Sequence, residues 1–143
     1  MDSATQASRA DHKRIAASLE THGIHPTAQR IRIAELLFAR DQHLTAEQVI
    51  RLLGKDGLRV SKATVYNTLN LFREQGLLRT VDVDPTRQFY DSSTGPHHHF
   101  YNVDTGELTD IPLESVMLQV DTALPPGTEP VGVEVVIRVR RRS

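Results

Sequence analysis

Three consecutive histidines, His97-His98-His99, are the residues of this sequence best equipped to do chemistry. In an extended strand, side chains two positions apart share a face, so His97 and His99 project together while His98 points away. Two same-face imidazoles are a common chelating pair. Two carboxylates lie within reach of them along the chain. Asp91 closes the strand that precedes the histidines, and Asp110 closes the strand that returns through Asp104-Thr105-Gly106. His43 is a fifth candidate, and its inclusion would clip the front half of the chain to the rear half. Imidazole nitrogen and carboxylate oxygen together suit Fe(II) or Mn(II), with Zn(II) as an in vitro substitute. The sequence has no cysteine, which excludes thiolate metal sites, disulfides, CxxC redox chemistry and cysteine nucleophiles. A hydrolytic metal centre would keep a position open for water and hold a general base nearby. Five prospective ligands and no nucleophile motif make a metal-dependent hydrolase the remote alternative, so the expectation is a protein that is not an enzyme.

Positioning such a cluster requires elements on both sides of it. The front half reads as short helices followed by a hairpin. Asp11 to His22 carries Ile15, Ala16 and Leu19 on one face, and Gly23 stops it. Thr27 caps a second helix with Ile31, Ala34, Leu37 and Phe38 inward. Thr45 and Gln48 form a capping box for a third helix, which carries Val49, Leu52 and Leu53 and ends at Gly54. A fourth helix runs from Ser61 to Gln75 with Val65, Leu69 and Phe72 on one face. The period then changes to extended over Leu77 to Val83 and Gln88 to Tyr90, joined by the turn Asp84-Pro85-Thr86-Arg87. Helices and then one hairpin make a winged helix-turn-helix, whose helix before the wing enters the major groove. On that helix Lys62 offers a charge for phosphate, and Thr64, Tyr66 and Asn67 offer groups for base edges and thymine methyls. Arg73 and Arg87 flank them. The alternative for this layout is a small helical domain that binds another protein.

The rear half reads as a small mixed sheet. His97 to Val103 and Glu107 to Ile111 form a hairpin, and Pro112 opens a helix with Leu113, Val116, Val120 and Leu124 on one side. Pro125-Pro126-Gly127 ends that helix. The final strand alternates Val131, Val133, Val135, Ile137 and Val139 against Gly132, Glu134, Arg138 and Arg140. About 50 residues make a small independent core, so burial of this strand against a second copy is expected. The fold class is therefore α+β: an N-terminal winged helix-turn-helix over residues 1–91, then a small α/β metal-sensing and dimerisation domain over 92–143.

Charge follows the same division. Residues 1–80 hold 12 Lys/Arg against 8 Asp/Glu, and residues 81–143 hold 5 against 10. A basic front half suits phosphate and an acidic rear half suits cations. No apolar stretch is long enough to span a bilayer, and Met1 to Arg9 lacks the apolar run of a secretory signal. The expectation is a cytoplasmic protein with no membrane partner. His12 and His22 are expected to be solvated helix residues, Arg140 to Arg142 a solubilising tail, and Tyr101 a packing residue.

Four segments carry a family resemblance: Thr27-Ala28-Gln29-Arg30, His43-Leu44-Thr45-Ala46-Glu47, Ala63-Thr64-Val65-Tyr66-Asn67-Thr68-Leu69 and His97-His98-His99-Phe100. In order and separation they resemble the signatures of the ferric uptake regulator superfamily. The resemblance implies a homodimeric repressor of iron, haem or peroxide-stress genes that binds a palindromic, AT-rich operator in double-stranded DNA. It implies a regulatory metal site of His43, Asp91, His97, His99 and Asp110. Asp91 and Asp110 stand where iron-sensing members usually carry glutamate and peroxide-sensing (PerR) members carry aspartate. Asn67 after Tyr66 is similar to the PerR and Irr branches. His97 to Tyr101, Asp110-Ile111-Pro112 and the short basic C-terminus are similar to the haem-linked Irr branch. That likeness brings in haem as an alternative cofactor, with His98 as its contact. His25 stands where many relatives place a basic minor-groove residue. Asn102 and Thr105 occupy the places of the family's first CxxC pair and the second pair is absent, so no structural zinc held by four cysteines is expected. Pro96 stands where a further family site needs histidine, so that site is expected to be lost.

Overall fold

The computed structural model describes residues 3–84, 86–93 and 95–143. Pro85, assigned above to the wing turn, lies outside the described residues, as do Met1 and Asp2. The chain forms two compact units, the first reaching residue 94 and the second starting at Gly95.

The first unit is built on four helices: α1 (Ser3–Thr21), α2 (Ala28–Phe38), α3 (Ala46–Lys55) and α4 (Lys62–Glu74). α1 begins eight residues earlier than expected because nothing from Ser3 to Ala10 stops a helix: the stretch holds neither glycine nor proline. Thr27, Thr45 and Ser61 cap α2, α3 and α4 by accepting the backbone N–H groups of Arg30, Gln48 and Thr64. At Thr45 the box is complete, since the Gln48 side chain accepts the Thr45 N–H at 2.8 Å. The core is continuous across these helices, with Leu19, Ile33, Leu37, Val49, Val65 and Phe72 buried.

An antiparallel three-stranded sheet completes this unit, in the order β1 (His43–Leu44), β3 (Arg87–Asp91), β2 (Arg79–Asp84). β2 and β3 form the wing, and their pairing shifts register between Asp82 and Asp84. β1 was not foreseen. Its two residues join the sheet because the chain between α2 and α3 is tied to the far end of β3. The Gln42 N–H donates to Ser92 Oγ at 3.1 Å, the Ser92 N–H donates to the Gln42 carbonyl at 3.1 Å, and the Gln42 side chain donates to the Leu36 and Leu37 carbonyls. These bonds set His43 directly across from Asp91.

The second unit is a three-stranded sheet in the order β5 (Leu108–Ile111), β4 (His98–Asn102), β6 (Val136–Val139). β4 is antiparallel to β5 and parallel to β6. The β4–β5 turn closes by hydrogen bonding. Asn102 Oδ1 accepts the Asp104 and Thr105 N–H groups at 2.9 and 3.1 Å, the Gly106 N–H donates to the Asn102 carbonyl, and Gly106 takes φ +75°. Two expectations fail here. The helix opened by Pro112 is only a 3₁₀ turn, Leu113–Ser115, and the long final strand is regular only over Val136–Val139. An amphipathic helix owes most of its stability to the surface it packs on. Met117, Val120 and Leu124 instead face solvent, as do Val131 and Val133.

Candidate metal centre

In the first unit, the β1–β3 pairing brings one imidazole and one carboxylate together. His43 and Asp91 are register partners, with ligand atoms within 4.8 Å of each other. Asp91 is 1% exposed, and one of its oxygens accepts the Ser93 N–H at 2.9 Å. That bond fixes the orientation of a buried carboxylate, a group with lone pairs enough to accept further partners.

In the second unit, the β4–β5 pairing sets His99 opposite Asp110, and His97, just before β4, lies on the same face. The two rings meet edge to face with centroids 4.6 Å apart. Both aim Nε2 at the same oxygen, Asp110 Oδ1, from 3.2 Å for His97 and 3.4 Å for His99. Ligands bound about 2.1 Å from one cation, at angles from octahedral to tetrahedral, lie about 3.0–3.4 Å from one another. Each nitrogen is therefore spaced from the shared oxygen as two ligands of one ion would be, and the donor types suit a divalent first-row metal. His97 Nδ1 donates to the Gly95 carbonyl at 2.8 Å, which leaves Nε2 as the nitrogen with which His97 could ligate a cation.

Within each unit the predicted ligands thus fall together: His43 with Asp91, and His97 with His99 and Asp110. His98 behaves differently from the haem contact suggested above. It is buried, and its Nδ1 accepts the Val135 N–H at 3.0 Å, so its ring secures the chain leading into β6. Sequence reasoning missed Glu134, placed above on the polar face of the last strand. Its Oε1 lies 3.4 Å from His99 Nδ1. Only the parallel pairing of β6 with β4 creates that neighbour, and no local pattern signals it.

The residues expected to face nucleic acid all lie in the first unit. Lys62 and Asn67 are exposed, Thr64 and Tyr66 half-buried along α4, Arg73 half-buried in its last turn, and His25 exposed ahead of α2. Thr27, Gln29, Arg30, Thr64, Asn67 and Thr68 line a cleft of about 320 Å³ between the start of α2 and α4. Arg30 is fixed there by donating to the His25 carbonyl at 2.9 Å. The Tyr66 hydroxyl donates to Glu47 of α3. That bond pushes the phenol up to about 12 and holds the carboxyl below its ordinary range, since both shifts arise first from the shared proton. Glu47 was not foreseen as a partner of Tyr66. His12, expected to be solvated, instead has Nδ1 2.6 Å from Glu35.

The family model described as the ferric uptake regulator family matches residues 21–135. The ferric uptake regulation protein of Neisseria meningitidis is 32% identical over 66% of this chain and 67% of its own length. The peroxide-responsive repressor PerR of Staphylococcus saprophyticus is 31% identical over 65% of this chain and 63% of its own. Among solved structures, the ferric uptake regulator of Pseudomonas aeruginosa with manganese superposes with a TM-score of 0.66 at 26% identity, covering 89% of this chain and 97% of that one.

Proposed function

From the premise that this chain belongs to the ferric uptake regulator family, we propose that it represses transcription as a homodimer and that one divalent cation, held jointly by His43, Asp91, His97, His99 and Asp110, couples its two units. The family makes it a metal-responsive transcriptional regulator with a winged helix-turn-helix and a dimerisation domain. The observation that carries the shared site is the convergence of His97 and His99 Nε2 on one oxygen of Asp110, matched by a second imidazole–carboxylate pair, His43 and Asp91, in the DNA-binding unit. A ligand completed by both units favours the one arrangement in which all donors meet, so occupancy biases how the α4 helices are presented. Mn(II) or Fe(II) suits this donor set, and the P. aeruginosa relative was solved with manganese. Lys62, Thr64, Tyr66, Asn67, Arg73 and His25 would carry the DNA contacts, with Lys62 on phosphate and the others toward bases and groove edges. The operator is expected to be palindromic and AT-rich.

The test is to change one ligand in each unit. His43→Ala and His99→Ala should each weaken Mn(II) binding at least tenfold relative to the unaltered chain. Unchanged Mn(II) affinity in His43→Ala would remove the coupling between units.

The aspartates at 91 and 110 favour a peroxide signal over an iron signal, by likeness to the PerR branch. Fe(II) at the site would supply the peroxide-driven insertion of one oxygen into a neighbouring imidazole. Anaerobic Fe(II)-loaded protein exposed to peroxide should then gain one oxygen on the peptide holding His43 or His97, and a spectrum lacking that gain refutes the peroxide signal. The haem alternative loses support because the His98 ring is buried and bound to Val135.

A further inference from the structure

The one aromatic side chain that α4 offers for base edges is already engaged within the first unit. The Tyr66 hydroxyl donates to Oε1 of Glu47, which stands exposed in the first turn of α3. Chemistry fixes the direction of this bond, because a phenol holds one proton and an ionised carboxylate can only accept. The bond itself keeps the Glu47 carboxyl low and the Tyr66 phenol high, and the charges of Lys62 and Arg87 add to the first effect. At neutral pH the proton therefore stays on Tyr66 and points at Glu47.

That commitment changes what Tyr66 can read. Its only donor is used inside the protein, while the phenol oxygen keeps the capacity to accept. A hydrogen bond to a carboxylate is roughly twice as strong as one between neutral groups, so an acceptor on a base does not draw the proton away. Turning the hydroxyl to the groove would also leave a carboxylate facing an acceptor without a proton between them. In the major groove guanine presents only acceptors, N7 and O6, whereas adenine and cytosine each present an amino group. An acceptor-only oxygen meets an amino group favourably and meets the guanine edge lone pair to lone pair. A hydroxyl free of Glu47 could donate or accept, and would tell these bases apart poorly.

We propose that Glu47 is a specificity-determining residue: by holding the Tyr66 hydroxyl proton it makes Tyr66 an acceptor toward DNA, which selects an adenine or cytosine amino group and disfavours guanine at the base Tyr66 meets. This rests on α4 facing the major groove, and the experiment separates the two claims. Full-length, Mn(II)-loaded protein is titrated with a selected operator duplex and with each of its single base-pair substitutions, at one fixed salt concentration. In the unaltered chain, guanine in place of adenine or cytosine at one position of the half-site should cost about tenfold in affinity. That cost should shrink to within about threefold in Tyr66→Phe, which has no oxygen to present. In Glu47→Ala the freed hydroxyl can donate to guanine, so the same position should tolerate guanine to within about threefold while preferences elsewhere stay as they were. Each preference is a ratio taken on one variant, so a change in the folded fraction does not move it. If Glu47→Ala keeps a guanine penalty that Tyr66→Phe loses, or if Tyr66→Phe alters no base preference, the role of Glu47 is overturned while α4 still stands as the reading helix. Operator affinity unchanged in both Asn67→Ala and Tyr66→Ala would remove the reading helix itself.

Discussion

At the scale of single residues, the candidate metal ligands and Tyr66 of α4 differ in how far the sequence reveals their partners. His97 and His99 are legible because a period of two is a local rule. Asp110 follows once the Asp104-Thr105-Gly106 turn is recognised, since the return strand then sets it beside His99. Glu134 and Glu47 are not legible, because their partners lie 35 and 19 positions away along the chain. The Tyr66–Glu47 bond has a pH signature. The phenol's folded value is raised to about 12, so its contribution to stability is complete below the ordinary phenol range near 10 and is lost as pH rises from there toward 12. The Glu47 carboxyl is held low, so its contribution is complete above the ordinary carboxyl range and is lost as pH falls below it. Burial also raises the Tyr90 phenol, so ultraviolet titration in the Tyr90→Phe background should show a late-ionising Tyr66 phenol that falls toward the ordinary phenol range in Glu47→Ala. A Tyr66 phenol that stays late in Glu47→Ala would show that another group holds it.

At the scale of elements, the first unit is well specified locally and the second is not. Thr27, Thr45 and Ser61 announce three helix starts, and the apolar spacing behind each names the buried face. β1 is invisible to such rules because it exists only through its bonds to Ser92 and its pairing with β3. The helix expected after Pro112 has good periodicity, yet Leu113, Val120 and Leu124 of its apolar face stand exposed. The valines of the last strand alternate cleanly, but alternation selects a face without supplying a partner sheet. Side-chain hydrogen bonds close the β4–β5 turn. Asn102 makes two of those bonds, so Asn102→Ala should lower unfolding stability by about 1–2 kcal/mol at a net value near 1 kcal/mol per bond. Urea denaturation checks this, and chelator should not shift the midpoint of the metal-free protein. An Asn102→Ala midpoint equal to that of the unaltered chain would mean that the turn is held by its backbone alone.

At the scale of the whole molecule, a basic winged-helix unit is joined to an acidic second unit, and the proposed ligand set is divided between them. His43 and Asp91 belong to the sheet that braces the wing, while His97, His99 and Asp110 belong to the sheet of the second unit. On the proposed function, that division is what would let one cation act on the presentation of α4. The most direct test is affinity for a selected operator duplex, measured at one fixed salt concentration because phosphate contacts make binding salt-dependent. Mn(II) should raise that affinity at least tenfold in the unaltered chain and leave His99→Ala unaffected. Equal affinity of the unaltered chain with and without Mn(II), in protein shown to bind the ion, would contradict the account.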